Sequence, residues 1–425
     1  MKRFSIAFSF FLLIYIGVCA GVSRAADSYS AYSVASLDSA IVSVDSAEVD
    51  SVSDLKGDGA LSLPERLQRL LENDIFKRTQ VGLCVYDLTA DSLLFAYHEQ
   101  QCMRPASNEK LVTAITALHT LGTDYLYRTR LYASGEIRDS VLHGALYVKG
   151  GYDPLLDGDD LRAFADSLNA RGIRRVTDGL RLDLSMKDTL RLGWGWCWDD
   201  EAVPLKPLLL NNDDRFMSRW RRVLREASIE MVLDRTAEAR VPQDAVLLCE
   251  RTHTIDQVLL PMMKESDNSM AESLFYQLAA AGGQPYAGRK QAVACVNALI
   301  RQVGLEPSHY QIADGSGLSL YNYLTPQLLM RLLRYAYRNE KIYRHLLPSL
   351  PVAGTDGTLR RRMRNSSAAG NVRAKTGTVE GVSTLSGYCT TAEGHTLCFS
   401  IMNQGLRHTS TGRNFQDRVC RALTR

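Results

Sequence analysis

Hydrophobic spacing switches between helical and strand periods along this chain of 425 residues, and any fold it adopts must accommodate the switches. From Pro105, the apolar residues Leu111, Ala114, Ile115, Leu118 and Leu121 fall at helical spacing, and Gly122 is a stop signal. From about 128 to 252 the pattern alternates instead, in Arg130 to Ile137, Leu142 to Val148 and Leu180 to Leu184, between Gly/Asp turns. Helical spacing returns at about 254–265, 268–280, 288–303 and 326–338, the last with Thr325 as cap and Pro326 at its first position. The chain then ends on strand patterns near 371–377, 383–391 and 396–403, with a turn at Glu393-Gly394.

Helices and late antiparallel strands on either side of a mainly β stretch define an α+β domain, over 62–128 and 253–425, interrupted by an inserted domain over 129–252. The length supports two packed domains, since a single core usually stops growing below this size. Folding is expected to begin near Leu63, where Pro64 opens an amphipathic stretch to Leu71, followed by a hairpin of strands 80–87 and 92–98 around Thr89-Ala90-Asp91.

The first sixty residues have a different character. Lys2 and Arg3 precede an apolar run from Phe4 to Val18, with small residues at Ala20, Ala25 and Ala26. That is the layout of a secretory leader, over 1–25, and the run is short for a membrane span, which takes about 20 apolar residues. No stable span is expected after cleavage. Lipidation of Cys19 is the weaker option, because Val18 is bulky for the residue before a lipidated cysteine. The Ser-, Ala-, Asp- and Val-rich stretch 26–61 reads as a flexible spacer. Export implies a periplasmic or cell-envelope location.

The formal charge of +3 equals that of Lys2, Arg3 and Arg24, so the mature chain would be neutral. A neutral chain has no clustered basic charge for phosphates, which argues against a nucleic-acid partner. Eight cysteines would survive cleavage (84, 102, 197, 249, 295, 389, 398 and 420), and none has metal-ligand spacing. No metal and no cofactor is expected. A turn centred on Glu393-Gly394 would set Cys389 opposite Cys398, either bridged or as two buried thiols.

Three short motifs carry chemistry. Ser107-Asn-Glu-Lys110 puts a hydroxyl and an amine about one turn apart at a helix start, where the dipole favours developing negative charge. Serine needs a neighbouring base, and a lysine serves when burial leaves it partly neutral. A second such pair, Ser53 and Lys56, lies in the polar spacer without an apolar stripe behind it. Ser266-Asp267-Asn268 falls between two helical patterns, where a hydroxyl can relay a proton and an amide can hold a carbonyl. Its decoy, Ser167-Leu168-Asn169, sits inside a helical pattern. Lys375-Thr376-Gly377-Thr378 lies on a strand; the lysine and hydroxyls suit a carboxylate, Gly377 admits a close backbone, and the Thr378 N–H can join the Ser107 N–H as an oxyanion hole. Taken singly, each reads as ordinary structure: a capping serine, a turn, an edge strand. In this order they are the elements of the serine acyl-transferase set, and no GxSxG elbow, HExxH or P-loop competes with them.

From Val81 to about Gly405 the chain resembles the D-alanyl-D-alanine carboxypeptidase/endopeptidases of the penicillin-binding protein 4 type, peptidase family S13. Besides the motifs, the resemblance lies in Gly150-Gly-Tyr-Asp-Pro154, Gly193-Trp-Gly-Trp-Cys-Trp-Asp199, Lys264-Glu265, Ala313-Asp-Gly-Ser-Gly-Leu-Ser319 and Leu350-Pro-Val-Ala-Gly-Thr-Asp-Gly-Thr-Leu359. It implies a penicillin-recognising serine transferase fold, with Ser107 acylated, Lys110 as base, Ser266 and Asn268 as proton relay and carbonyl contact, and Lys375 and Thr376 as carboxylate contacts. It further implies peptidoglycan stem peptides as substrates and β-lactams as covalent inhibitors. Ser266 follows Ser107 by 159 positions, fewer than in the longest family members, which implies a reduced insertion and leaves the carboxypeptidase and endopeptidase balance open.

Two other functions fit the same fold: a serine β-lactamase, which needs a base to activate the deacylating water, and a non-catalytic muropeptide or β-lactam receptor, which would lack a catalytic group. Trp194, Trp196 and Trp198 beside Asp199 and Asp200 read either as anchors of the inserted domain or as an aromatic wall over the cleft, with an acid for a stem-peptide amine.

Overall fold

The computed structural model describes residues 61–200 and 202–425; the leader, nearly all of the spacer and the Ser53/Lys56 pair lie outside the described residues. Helix α1 (Leu63–Leu71) leads into strands β1 (Gln80–Asp87) and β2 (Ser92–Tyr97), and then into helix α2 (Glu109–Thr120). An excursion of some length follows, from β3 (Leu126–Arg138) and β4 (Val141–Lys149) through α3 (Gly158–Ala170), β5 (Arg175–Val176), β6 (Leu180–Asp183), α4 (Phe216–Glu226), β7 (Glu230–Met231) and β8 (Thr236–Glu238) to β9 (Val246–Thr254). Helices α5 (Ile255–Lys264), α6 (Asn268–Ala280), α7 (Arg289–Gln302), α8 (Pro326–Arg338) and α9 (Glu340–Ser349) come next, then β10 (Arg373–Val379), β11 (Val382–Thr390), β12 (Thr396–Gln404) and α10 (Thr409–Leu423).

The first sheet is antiparallel throughout, in the order β10-β11-β12-β1-β2. Every residue of β1 from Val81 to Asp87 is buried, because helices cover both faces. Cys84 and Tyr86 point into a core shared with α2 and α5 to α9, while Leu83 and Val85 join the opposite core under α1 and α10. Strand β10 forms one edge of this sheet; its start is bridged on the outer side by Val352 to Arg373, and no further strand pairs there among the described residues.

The second sheet runs β7-β5-β4-β3-β9, with β6 and β8 branching from β4. Parallel pairs such as β4 with β5 and β6 arise because α3 crosses over between them. Phe164 of α3 and Phe216 and Trp220 of α4 fill its core. The excursion returns to where it left: Leu126 is opposite Thr254, and the Ile255 N–H bonds the Tyr125 carbonyl at 3.0 Å. The helices that flank it therefore stay packed together, with α2 against α6 and α5.

Two local expectations fail. The helix signalled from Pro105 begins at Glu109, and residues 106–108 form a tighter 3-10 turn. Ala106, at φ 46°, cannot extend the α-helix backwards, and Thr384 Oγ1 holds the Pro105 carbonyl at 2.8 Å. The β11–β12 hairpin also has a three-residue loop rather than a two-residue one. Thr391 and His395 still pair through a 2.9 Å backbone bond, and Gly394 takes the left-handed conformation at φ 87°. The pairing thus moves by one residue, setting Cys389 opposite Leu397 and Cys398 opposite Tyr388. One step of register turns a side chain to the other face. Cys389 and Cys398 lie in the two separate cores, both as free thiols, and no bridge joins them.

Candidate active site

Three elements bring the motifs together. The turn before α2 presents Ser107, half-buried, and the first turn of α2 carries Lys110 fully buried below it. The Lys110 ammonium nitrogen lies 2.9 Å from Ser107 Oγ, 2.7 Å from Asn268 Oδ1 and 2.9 Å from the Ser316 carbonyl. All three partners are neutral oxygens. Burial drives the lysine down to about 8, although Asp314, Glu272, Asp267 and Glu109 pull the other way.

Ser266 occupies the junction between α5 and α6 at φ 64°, a conformation that costs a non-glycine residue energy. Asp267 then caps α6 by accepting the Met270 N–H at 3.0 Å, which leaves Asn268 as the first helical residue, facing Lys110. Lys375 reaches in from the edge strand, fully buried, with its nitrogen 2.9 Å from Ser266 Oγ and 2.9 Å from the Thr376 carbonyl. Burial, then the nearby Lys110, holds it well below the ordinary lysine range.

Gly377 lies against the nucleophile turn. A Cβ there would come within 2.7 Å of the Pro105 carbonyl and 3.0 Å of the Ser107 nitrogen, so glycine alone lets β10 approach Ser107. Thr376 and Thr378 alternate with it along the strand. The Thr376 hydroxyl donates to Thr358 Oγ1 at 2.8 Å, and Thr378 is exposed.

The loop 313–322 closes the floor. Asp314 accepts from the Gly317 and Ser319 N–H groups, Asn322 Nδ2 and Trp196 Nε1, at 2.8, 2.6, 2.7 and 2.9 Å. Glu272 of α6 accepts the N–H groups of Gly315 and Ser316, and is pushed up to about 8 by burial and by Asp314. Ser316, whose carbonyl holds Lys110, is thereby fixed in place. Sequence reasoning assigned no role to Thr358, Glu272, Asp314 or Ser316; Asp314, Ser316 and Thr358 lie in stretches that stood out, but only burial and bonding show what they touch.

The tryptophans divide. Trp196 is tied to Asp314, the Trp194 carbonyl accepts from Ser319 Oγ at 2.7 Å, and the Trp194 ring packs on Tyr321 and Arg289. Trp198 is 97% exposed and anchors nothing. The Asp200 carboxylate accepts the Cys197 N–H at 2.6 Å, while Asp199 is exposed. The decoy Ser167 sits within α3, its hydroxyl on the Phe164 carbonyl.

An SxxK turn, an SDN junction and a KTG edge strand, gathered beside a five-stranded antiparallel sheet, define the class of penicillin-recognising serine acyl-transferases. Within that class, the family model for D-Ala-D-Ala carboxypeptidase 3 (S13) matches residues 63–212 and 211–425, and the chain belongs to this family. It is 25% identical to the D-alanyl-D-alanine carboxypeptidase DacB of Haemophilus influenzae, over 83% of this chain and 92% of that one. It is 30% identical to the carboxypeptidase DacB of Mycolicibacterium smegmatis, over 76% and 75% of the two chains. Among solved structures, penicillin binding protein 4 (dacB) of Haemophilus influenzae superposes with a TM-score of 0.74 at 23% identity, covering 85% of this chain and 98% of that one. The fold is shared; that protein is also known in complex with a β-lactam.

Proposed function

We propose that the chain is a serine-type D-Ala-D-Ala carboxypeptidase/endopeptidase that acts on peptidoglycan stem peptides through an acyl-enzyme on Ser107. The observation that carries this reading is the Lys110 nitrogen, buried among neutral oxygens 2.9 Å from Ser107 Oγ. A lysine brought down to about 8 is neutral in a useful fraction of molecules near neutral pH. Neutral Lys110 takes the Ser107 proton as Oγ attacks the carbonyl of the scissile D-Ala-D-Ala bond. The Ser107 and Thr378 N–H groups receive the oxyanion, and the Asn268 amide holds the substrate backbone. Lys375 and Thr376 contact the terminal carboxylate. Ser266, bonded to Lys375, relays to the departing amine the proton that Lys110 took from Ser107, so that as the C–N bond breaks Lys110 is again neutral and Ser266 keeps its hydroxyl. Water then hydrolyses the ester and restores the Ser107 hydroxyl.

A β-lactam follows the same first step, but the amine stays tethered to the acyl group and blocks water, which supports covalent inhibition. The domain assignment belongs to the same reading: catalytic residues from 62–128 and 253–425, with 129–252 as an insertion. Through Trp194 and Trp196 the insertion touches the loop that holds Lys110, which supports a cleft wall with Asp199 directed to a stem-peptide amine. Work on wall peptides takes place outside the cytoplasm. No helix among the described residues is long and apolar enough to cross a membrane.

The test is Lys110→Met, assayed for acylation by fluorescent penicillin. Loss of general-base help costs about 10²–10⁴-fold, and the acylation rate should fall by that range with the fold intact. A rate within about tenfold of the parent would place the base elsewhere.

A further inference from the structure

Glu109 stands between Ser107 and Lys110, and the acyl transfer set out above gives it no part. Its side chain is fully buried, and neither carboxyl oxygen has a hydrogen-bond partner among the described residues. Such a group is rare in native proteins, because the charged form has nothing to replace its water. Gly317, at φ 82°, packs so closely that a Cβ on it would lie 3.0 Å from the Glu109 Cβ.

The charged groups around it come from every neighbouring element: Lys110 on α2, Glu272 on α6, and Asp314 on the 313–322 loop. Asp267, at the start of α6, and Lys375, on β10, act on Lys110 in turn. The three buried acids differ in what holds them. Asp314 has four donors and Glu272 has two N–H groups, whereas Glu109 has none. In a dry pocket three carboxylates cannot all stay ionised, and the proton settles on the one without donors. Burial, followed by Asp314 and Glu272, accordingly pushes Glu109 far above the usual carboxylate range.

We propose that Glu109 is a positioning residue that acts through Lys110: a buried acid that shares one proton with the lysine, so that wherever Glu109 is ionised Lys110 is held as the ammonium, which sets the pH at which Lys110 can accept the Ser107 proton. The inference rests on the reading of Lys110 as base. With one proton between them, Glu109 and Lys110 have two forms of equal total charge. In the acid–amine form Lys110 has a free lone pair; in the carboxylate–ammonium form it has none. A side chain at 109 that cannot ionise removes the second form.

The experiment is the pH dependence of the penicillin acylation rate, measured across its ascending limb for the parent, Glu109→Gln and Glu109→Met, with Lys110→Met as control. Acylation rises with pH as Lys110 loses its proton, and both Glu109 variants should move that limb to lower pH by roughly half a unit to one unit. Well below the midpoint, that shift reads as about a three- to tenfold faster rate. Glu109→Met should also hold or raise the thermal midpoint, since it removes two unpaired oxygens. A purely structural role would lower the rate equally at all pH values and leave the limb where it was. An unmoved limb, a limb moved to higher pH, or a less stable Glu109→Met protein overturns the inference. If Lys110→Met acylates normally, the base assignment itself fails; if it is inactive while the limb stays put, only the role of Glu109 does.

Discussion

Three lysines are wholly buried among the described residues, and the two regions that hold them treat the charge in opposite ways. In the excursion between α2 and α5, Lys187 has the Asp188 carboxylate at 2.7 Å, the Asp188 carbonyl at 2.9 Å and the Tyr276 ring at 4.5 Å. In the cleft, Lys110 and Lys375 touch hydroxyls, an amide oxygen and backbone carbonyls, and no carboxylate is within bonding distance of either nitrogen. Burial lowers all three lysines, but in the first region the Asp188 carboxylate on the nitrogen opposes that shift, whereas the second offers no bonded counter-ion. Burial alone does not make a reactive amine. The oxygens offered to it decide how strongly the effect of burial is opposed.

The contrast breaks most readily at Lys187. Lys187→Met leaves Asp188 without its cation and should lower stability by roughly 3 kcal/mol, the low end for a broken buried pair because Asp188 keeps contact with water. Acylation per folded molecule should hold. Denaturant unfolding beside penicillin titration separates the two, and a large acylation defect in folded Lys187→Met protein would erase the distinction between the regions.

A second, smaller effect concerns the two acids at the end of the tryptophan segment. The Asp200 carboxylate is occupied by the Cys197 N–H, whereas Asp199 faces solvent. A charge-assisted contact is worth about 1.5–3 kcal/mol, so Asp199→Asn should reduce kcat/KM on amine-bearing stem peptides by roughly 10–150-fold. Penicillin acylation should not change, because β-lactams lack that amine. Asp200→Asn, smaller still, should alter peptide turnover by less than about threefold, as most exposed substitutions do. Equal losses on peptide and penicillin would return both acids to the structure of the loop.

These differences also mark where sequence reading runs out. That Ser107, Lys110, Ser266, Asn268 and Lys375 stand together is legible because serine and lysine at helical spacing, an SDN turn and a KTG strand are uncommon together and stand in a fixed order. The helix at 326–338 is legible because its start is chemical: Thr325 Oγ1 accepts the Leu328 N–H at 3.1 Å, and Pro326 follows. The hairpin register is not, since a single left-handed residue, Gly394, separates a three-residue loop from a two-residue one and reverses the faces of Cys389 and Cys398. Nor is the difference between Lys110 and Lys187. Both sit near acids in the sequence, and only the fold brings Asp188 onto one nitrogen while keeping Glu109, Glu272 and Asp314 off the other. Ala106 and Ser266 make the same point, because their left-handed backbones sit against residues far along the chain, Gly317 beside Ala106 and Lys375 on Ser266.

The central claim is that Ser107, served by an amine without a counter-ion, is the acylated group, and peptide mapping of the penicillin adduct by mass spectrometry tests it most directly. The account predicts a single adduct of one penicillin mass on the peptide that contains Ser107, abolished by Ser107→Ala and retained by Ser53→Ala. An adduct on any other serine, or undiminished labelling of the Ser107→Ala protein, would contradict it.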